Sequence, residues 1–335
     1  MNLPEYKTFD EKARFFAPEN LAHGYPFVIN TTEEFDKLYD ILQREQTNSG
    51  NRLLFRGVSE AKYQNFTSAQ RLWLKNECRA GCPFDMMIDN ALCHIKQNNI
   101  LKEYLLSLNV VPNDLYYLTF LQHFGAPTPM LDFSHDLNMG LFFAFDYCDT
   151  TNPDNEIENY VSLYLYDTRA YITQIANLVD MLADSMRQAV KMVDDFKKKN
   201  PHTNIDDSLL RNIAEFAAWK NPRNAGDGLC KINIALLDTS PKNNQVRDIS
   251  GNQLFWTNIR IVAQKGCLMW YPNESLSLDN FLYNQIKRPL RCFNFHKSLK
   301  SHVATKINLS RDSIYPDEKS ISQNVKTQME VKLIV

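Results

Sequence analysis

The segment YLTFLQHFGAPTPMLDFSHDLNMGLFFAFD, from Tyr117 to Asp146, is the most informative part of this chain. It places histidine, glycine, proline, aspartate and serine residues between two apolar helical patterns. Loops so rich in residues with special backbone preferences, and held between rigid elements, are frequent locations of functional sites. The pattern predicts a loop over Pro127–Ser134, followed by a buried helix over Leu137–Tyr147.

The helix before this loop is predicted to begin near Asp114. Gly125 is well placed to be its left-handed C-terminal cap, and Pro127 prevents its continuation. Gln122 and His123 therefore lie at the end of a helix, next to the predicted loop.

Patterns elsewhere predict helices mainly in the first half of the chain and strands mainly in the second. Thr31 and Glu34 have the spacing of a capping box, which predicts a helix start. We expect a short buried strand over Leu53–Arg56 that ends at Gly57, and mostly helix over residues 66–109. Alternating apolar patterns predict further strands at Val161–Tyr166, Ile232–Leu237, Arg260–Trp270 and Leu290–Phe295. The order favours an α+β fold in which a helix-rich N-terminal half packs on a mostly antiparallel sheet.

The composition is that of an ordinary globular protein. The 335 residues are 44% hydrophobic and 23% charged, with a formal net charge of −2. This balance gives no overall electrostatic reason to bind nucleic acid or an anionic membrane, although it leaves room for a local basic groove. No apolar run approaches the ~20 residues that span a bilayer, so we expect no membrane association.

The cysteines indicate a reducing compartment. There are seven of them, an odd number with irregular spacing, which fits a disulfide framework poorly. The first residues contain acidic side chains and no continuous apolar stretch, unlike a signal peptide. We therefore expect a cytoplasmic protein. We also expect no metal. The nearest approach to a zinc-ligand cluster comprises Cys78, Cys82, Cys93 and His94, and its spacing matches no standard zinc motif.

Several common catalytic and nucleotide-binding motifs are absent from the sequence. Without GxGxxG or GxxxxGK[ST], a dinucleotide-binding Rossmann unit and a P-loop NTPase are disfavoured. Without GxSxG or HExxH, hydrolase and zincin functions have no motif support.

Six short elements are similar to motifs of the FRG domain family, which is named for a Phe-Arg-Gly triplet. In chain order they are Phe55–Gly57, Leu121–Thr128, Leu131–Ser134, Leu141–Ala144, Arg260–Gly266 and Ser313–Asp317. The second resembles the family's QH-aromatic-G-x-PT element, and the fifth its R-x-x-x-Q-x-G strand. Pro129 stands where the family usually has an arginine, so any phosphate contact made by that arginine in relatives is lost here.

The resemblance also implies an organisation and a setting. Residues 1–335 look like one elaborated domain of this family. Amphipathic patterns predict helices over Ile172–Phe196 and Leu209–Trp219, which resemble a helical insertion at 172–220 that would act as a lid or a partner surface. The family is widespread in bacteria and often lies in conflict or stress loci, which implies a role as a toxin or in phage defence.

Arg56 lies at the end of the predicted apolar strand, where a guanidinium needs a partner. Its planar fork suits a phosphate or carboxylate of a nucleotide. Alternatively, Arg56 forms a buried salt bridge with Asp132 and ties the strand to the loop. The two interpretations do not exclude each other.

The other candidate residues have a structural and a functional interpretation each. His123 either contacts a ribose or acts as an acid or base near neutral pH, or its ring bonds loop carbonyls. Gln122 either faces the core or caps the loop. Asp132 and Ser134 either cap the next helix or belong to an anion site at its N-terminus. Gln264 lies in the predicted strand, either on its solvent face or in a cleft.

The order of these residues resembles the three-part layout of ADP-ribosyltransferases, which take NAD as co-substrate. The resemblance implies NAD-binding roles for Arg56, Gly57, Gln122 and Ser134, and catalytic roles for His123, Asp132 and Gln264. Glutamate is absent at position 264 and a carboxamide cannot take a proton, so Asp132 becomes the ionisable candidate.

The implied partners are a nucleotide and a protein or nucleic-acid acceptor. The competing interpretation is a non-catalytic module that senses a nucleotide or binds a protein through the same pocket. A nuclease-like toxin is disfavoured, because the sequence lacks clustered carboxylates for metal ions. The oligomeric state cannot be predicted from the sequence.

Overall fold

A central sheet organises the part of the chain that the structure describes. The computed structural model describes residues 3–50, 52–75, 83–108, 110, 112, 114–148, 155–171, 176–177, 191–202, 235–238, 258–287 and 290–317. The strands are β1 (Val28–Ile29), β2 (Leu53–Val58), β3 (Met130–Ser134), β4 (Tyr160–Asp167), β5 (Ala176–Asn177), β6 (Ala235–Asp238), β7 (Gly266–Trp270) and β8 (Arg291–His296).

These strands form one sheet in the order β1-β8-β4-β2-β3-β7-β6-β5. Only the two outermost pairs, β1 with β8 and β5 with β6, are parallel among the described strands. The predicted combination of helices with a mostly antiparallel sheet is therefore confirmed.

Helices surround the sheet and supply most of the remaining described structure. They are α1 (Phe9–Ala22), α2 (Thr32–Ser49), α3 (Ser68–Lys75), α4 (Phe84–Gln97), α5 (Asn99–Ser107), α6 (Asp114–His123), α7 (Leu137–Phe145), α8 (Ile259–Ala263), α9 (Leu278–Phe281), α10 (Lys300–Ile307) and α11 (Arg311–Ile314). Short 3₁₀ segments cover Glu156–Asn159, Thr168–Tyr171 and Lys297–Leu299, and a π-helical turn covers Leu282–Ile286. Residues 191–199 are also helical. Among the described helices, none is both long enough and apolar enough to cross a bilayer.

Two predicted helix ends are confirmed in detail. At the start of α2, the Thr31 hydroxyl accepts from the Glu34 amide at 3.2 Å, and the Glu34 carboxylate accepts from the Thr31 amide at 3.1 Å. At the end of α6, Gly125 has φ +77 and its amide donates to Gln122, while the Ala126 amide donates to Leu121. This pair of bonds is a Schellman motif, which ends the helix and directs the chain towards β3.

Gly57 does not end its strand, contrary to the prediction. β2 continues to Val58, and Gly57 lies where α7 crosses the strand. A Cβ built at Gly57 would lie 2.1 Å from the Gly140 carbonyl oxygen and 2.3 Å from the Ala144 amide nitrogen. The glycine therefore serves the close approach of a helix backbone to a strand.

The predicted loop over Pro127–Ser134 is partly wrong, because Met130–Ser134 forms β3. This strand pairs with β7 along its whole length, from Met130 opposite Trp270 to Ser134 opposite Gly266. Its partner lies more than a hundred residues later in the chain, so the local sequence shows only a proline-rich stretch.

The predicted strand over Arg260–Trp270 is wrong in its first half. Asn258 caps α8 by accepting from the Ile261 amide at 2.9 Å, and the strand begins only at Gly266. Lys265, with φ 47, makes the turn between them. Gln264 is consequently the C-terminal cap of a short helix and does not lie within a strand.

Most of the predicted helical insertion at 172–220 lies outside the described residues. Residues 191–199 are helical as predicted, whereas Ala176–Asn177 is a strand. The predicted helix over Leu209–Trp219 and residues 232–234 of a predicted strand fall outside the described ranges. The single-domain organisation of residues 1–335 remains a prediction.

The close crossing of α7 over β2 generates a test of stability. We predict that Gly57→Ala lowers the free energy of unfolding by about 2 kcal/mol or more, because the new methyl group collides with backbone atoms that cannot move independently. Chemical denaturation would measure the change.

Gly24→Ala provides the matched control. Gly24 has φ +74, yet nothing lies within 4 Å of a Cβ built there, so only backbone strain of about 1 kcal/mol is expected. A Gly57→Ala protein no less stable than Gly24→Ala would contradict the steric explanation.

Candidate functional site

A cavity forms where β2 and β3 separate. The two strands pair at a single position, Phe55 opposite Ser134, whereas β2 stays paired with β4 as far as Val58. The last residues of β2 are thus unpaired on the side that faces β3. The C-terminal end of α6, the α8 segment and Tyr315 complete a cavity of about 340 Å³, which is within the usual range for small-molecule sites.

The cavity brings together most of the residues predicted to form a site. Those that line it are Arg56, Gly57, Gln122, His123, Asp132 and Gln264. They come from β2, the end of α6, β3 and the turn before β7. Because these segments are far apart in the sequence, only the fold assembles them.

Arg56 spans the separation between β2 and β3. Its Nε donates to Asn65 Oδ1 at 2.9 Å, and its Nη1 donates to the main-chain carbonyl of Asp132 at 2.9 Å. The predicted tie between Arg56 and Asp132 thus exists, but it uses the backbone rather than the carboxylate. A guanidinium has five N–H donors, so three remain for a ligand or solvent.

Asn65 fixes the position of Arg56, and Asp279 fixes the position of Asn65. The Asp279 carboxylate is buried and accepts from the Asn65 main-chain amide at 2.9 Å, the Asn65 side-chain amide at 2.8 Å and the Tyr6 hydroxyl at 3.1 Å. These bonds fix the Asn65 carboxamide so that its oxygen faces Arg56. Burial raises the pKa of Asp279, and the bonds from Asn65 oppose that shift. No sequence motif pointed to either residue.

Asp132 is the only carboxylate among the described residues of the cavity lining. Its Oδ2 accepts from Gln122 Nε2 at 2.8 Å, and the Gln122 carboxamide oxygen accepts in turn from the buried Thr128 hydroxyl. Thr128 therefore orients Gln122, and Gln122 orients the carboxylate. Gln122 does not face the core; it bonds Thr128 of the loop, as one of the two predicted interpretations has it, and also the Asp132 carboxylate.

His123 is held in its neutral form. Asn258 Nδ2 hydrogen-bonds to His123 Nδ1, so we assign the ring proton to Nε2. Burial lowers the pKa of His123, as does the positive charge of Arg260, while the negative charge of Asp132 opposes them. The lowered pKa favours the neutral ring over the imidazolium at neutral pH.

Gln264 lines the cavity, but its amide nitrogen donates to the Ile314 carbonyl at 3.0 Å. This bond uses one of the two carboxamide N–H groups and leaves the other N–H and the carboxamide oxygen. Gln264 also receives, at its main-chain carbonyl, a bond of 2.7 Å from the Ser134 hydroxyl.

Ser134 is not among the described residues that line this cavity, and its predicted ligand-binding role remains a prediction. Its side chain is buried, and its hydroxyl both donates to the Gln264 carbonyl and accepts from the Asp136 amide at 3.0 Å. Neither Ser134 nor Asp132 caps α7. Asp136 does so, by accepting from the Asn138 amide at 2.8 Å.

Arg260 and Tyr315 also line the cavity and were missed as site residues. Arg260 Nε donates to the Pro316 carbonyl at 3.4 Å, and the Tyr315 ring meets Phe143 edge-on at 6.3 Å. Both residues belong to family-like elements, which was the available signal. With the two arginines charged, His123 neutral and one aspartate, the lining carries a net positive charge that favours an anionic ligand.

Comparison with known proteins identifies one part of the chain. Residues 51–153 match the family model of the FRG domain, which confirms the resemblance predicted from the motifs. Searches of curated proteins and of solved structures found no significant match. The matched range includes Arg56, Gln122, His123 and Asp132, whereas Gln264 lies outside it.

The surroundings of His123 generate a test of the electrostatics. We predict that Arg260→Gln raises the pKa of His123, because it removes a positive charge that disfavours the imidazolium. Asp132→Asn is its counterpart and should lower the same pKa, because it removes a charge that favours the imidazolium. NMR titration of the imidazole would measure both shifts, and shifts of the same sign would contradict the assigned surroundings.

Proposed function

Starting from an FRG domain at residues 51–153, we propose that the cavity binds NAD and cleaves its nicotinamide–ribose bond, with ADP-ribose passing to an acceptor or to water. The observation that carries this proposal is the convergence of Arg56, His123, Asp132 and Gln264 on one positively charged cavity. An anion-binding arginine beside a lone carboxylate is suited to a phosphorylated substrate that develops positive charge during the reaction.

Arg56 supports binding of the pyrophosphate. Its guanidinium is fixed by Asn65 and by the Asp132 carbonyl, and three N–H groups remain to donate to phosphate oxygens. A planar guanidinium offers two parallel donors to a phosphate, which an ammonium cannot do. Arg260 adds a second positive charge at the same cavity.

Asp132 supplies the ionisable group of the proposed chemistry. When the glycosidic bond breaks, its electron pair leaves with nicotinamide, and positive charge develops on the ribose C1′ and ring oxygen. A carboxylate held near C1′ stabilises that oxocarbenium-like state. It then takes the proton of the acceptor whose nucleophilic atom bonds to C1′.

His123 and Gln264 have orienting roles in this scheme. His123 lies in the cavity lining, where its ring can help to orient the ribose, and the carboxamide oxygen of Gln264 can accept from the 2′-hydroxyl. Gly57 contributes its backbone to the cavity lining, whereas a Cβ built there would point at α7. Ser134 is left out of the scheme, since its hydroxyl already donates to the Gln264 carbonyl.

The likeness to ADP-ribosyltransferases belongs to this proposal. Arg56 on an early strand matches the layout, while Gln264 precedes β7 rather than lying in a strand. The acceptor would be a protein or a nucleic acid. Depletion of NAD, or modification of an essential acceptor, would account for a role as a toxin or in phage defence.

The alternative is a non-catalytic module that senses a nucleotide. It is favoured by one observation: the side chain at position 264 is an amide that is already bonded to the Ile314 carbonyl. In that case the same cavity binds a nucleotide, and the occupied cavity signals to a partner protein.

Release of nicotinamide from labelled NAD by the full chain tests the proposal. We predict that Asp132→Asn, which keeps the shape of the side chain but cannot take a proton, lowers kcat about 10²-fold or more. Arg56→Lys should weaken NAD binding about tenfold, because it retains the charge but loses the paired donors. Gln264→Ala should also lower the rate.

Arg44→Gln is the control, because Arg44 is exposed on α2 and does not line the cavity. Thermal unfolding of each variant separates a loss of activity from a loss of folding. NAD binding without nicotinamide release would favour the sensing module, and the absence of NAD binding would refute the proposed NAD cleavage and favour a module that recognises another ligand.

A further inference from the structure

A second cavity of about 730 Å³ lies on the other side of Arg56. Its lining includes Val58, Tyr63, Asn65, Arg71 and Lys75. Among the described residues, Arg56 is the one that the linings of the two cavities share. The proposed chemistry uses only the smaller cavity and leaves the larger one without a role.

The bonds of Arg56 place its guanidinium between the two cavities. Asp132, whose carbonyl accepts from Nη1, lines the smaller cavity, and Asn65, whose carboxamide accepts from Nε, lines the larger one. A phosphate bound to the free N–H groups of Arg56 would therefore lie at the junction.

The larger cavity also carries unbalanced positive charge next to this junction. Arg71 is exposed, and its Nη1 donates to the Phe66 carbonyl at 3.3 Å. Burial is the main cause of the lowered pKa of Arg56, and the positive charge of Arg71 lowers it further. The two guanidinium groups therefore lie close enough to repel each other. The one acidic residue in the lining, Glu5, pairs with Lys62 at 3.8 Å. A pyrophosphate would relieve the repulsion between the two arginines.

The size and lining of the larger cavity suit a nucleoside. Its volume is within the range of small-molecule sites. Tyr63 is 43% exposed, and the Lys62 amine lies 5.8 Å from the centre of its ring, so a base would stack on the other face. A purine stacks on such a ring whatever its exact hydrogen-bonding pattern.

We propose that the two cavities are the two halves of one dinucleotide site. The pyrophosphate lies between Arg56 and Arg71, the nicotinamide riboside lies in the smaller cavity, and the adenosine lies in the larger cavity against Tyr63. This assignment rests on the proposed function, and it adds the residues that recognise the half of NAD that does not react.

Calorimetric titration of the full chain with NAD, ADP and nicotinamide mononucleotide tests the assignment. Tyr63→Ala should weaken the binding of NAD and ADP about tenfold, through lost stacking, and leave the mononucleotide within about twofold. Arg71→Gln should weaken NAD and ADP by a similar factor. Arg44→Gln is again the control and should change none of the three dissociation constants.

The outcomes separate this inference from the proposed function. NAD binding and cleavage that are unchanged in Tyr63→Ala and Arg71→Gln would overturn the two-part site and leave the proposed function standing. NAD binding that depends on both residues, without nicotinamide release, would support the two-part site and overturn only the catalytic step. A chain that binds neither NAD nor ADP would overturn both.

Discussion

The guanidinium of Arg56, fixed across the separation between β2 and β3, is the interaction on which the site depends. It is held by an amide oxygen and a peptide carbonyl, and neither acceptor neutralises its charge. Burial lowers the pKa of Arg56, because it disfavours the charged form of the guanidinium, and the negative charge of Asp132 opposes this shift. Such a cation becomes more stable when an anion enters. The pairing of the strands thus determines where an anion can bind.

Buried polar groups give this arrangement its precision. Asp279 orients Asn65, which holds Arg56, and Thr128 orients Gln122, which holds the Asp132 carboxylate. A buried polar network of this kind is stable only when its members are satisfied together. The geometry of the cavity is therefore largely set before a ligand arrives.

Features with local causes were predictable from the sequence, and those with distant causes were not. The capping box at Thr31 and the left-handed Gly125 depend on neighbouring residues and were found correctly. The sequence around β3 predicts a loop, because the residues of β7 with which it pairs are far away in the chain. The sequence of α8 predicts a strand, because an apolar pattern this short fits the period of a strand as well as that of a helix. Asp279 was missed since its contact with Asn65 spans 214 positions.

The bonds that join β3 to the later part of the chain have one more consequence. The Ser134 hydroxyl holds the Gln264 carbonyl, and the Gln264 amide holds the Ile314 carbonyl, so three remote segments are linked in series. Residues 51–153, which match the FRG domain, supply Arg56 and Asp132 to the cavity lining. Other lining residues, such as Gln264 and Tyr315, lie outside this range. The range that matches the FRG domain and the set of residues that forms the cavity therefore have different boundaries. An isolated 51–153 fragment would present its part of the cavity lining on an open surface.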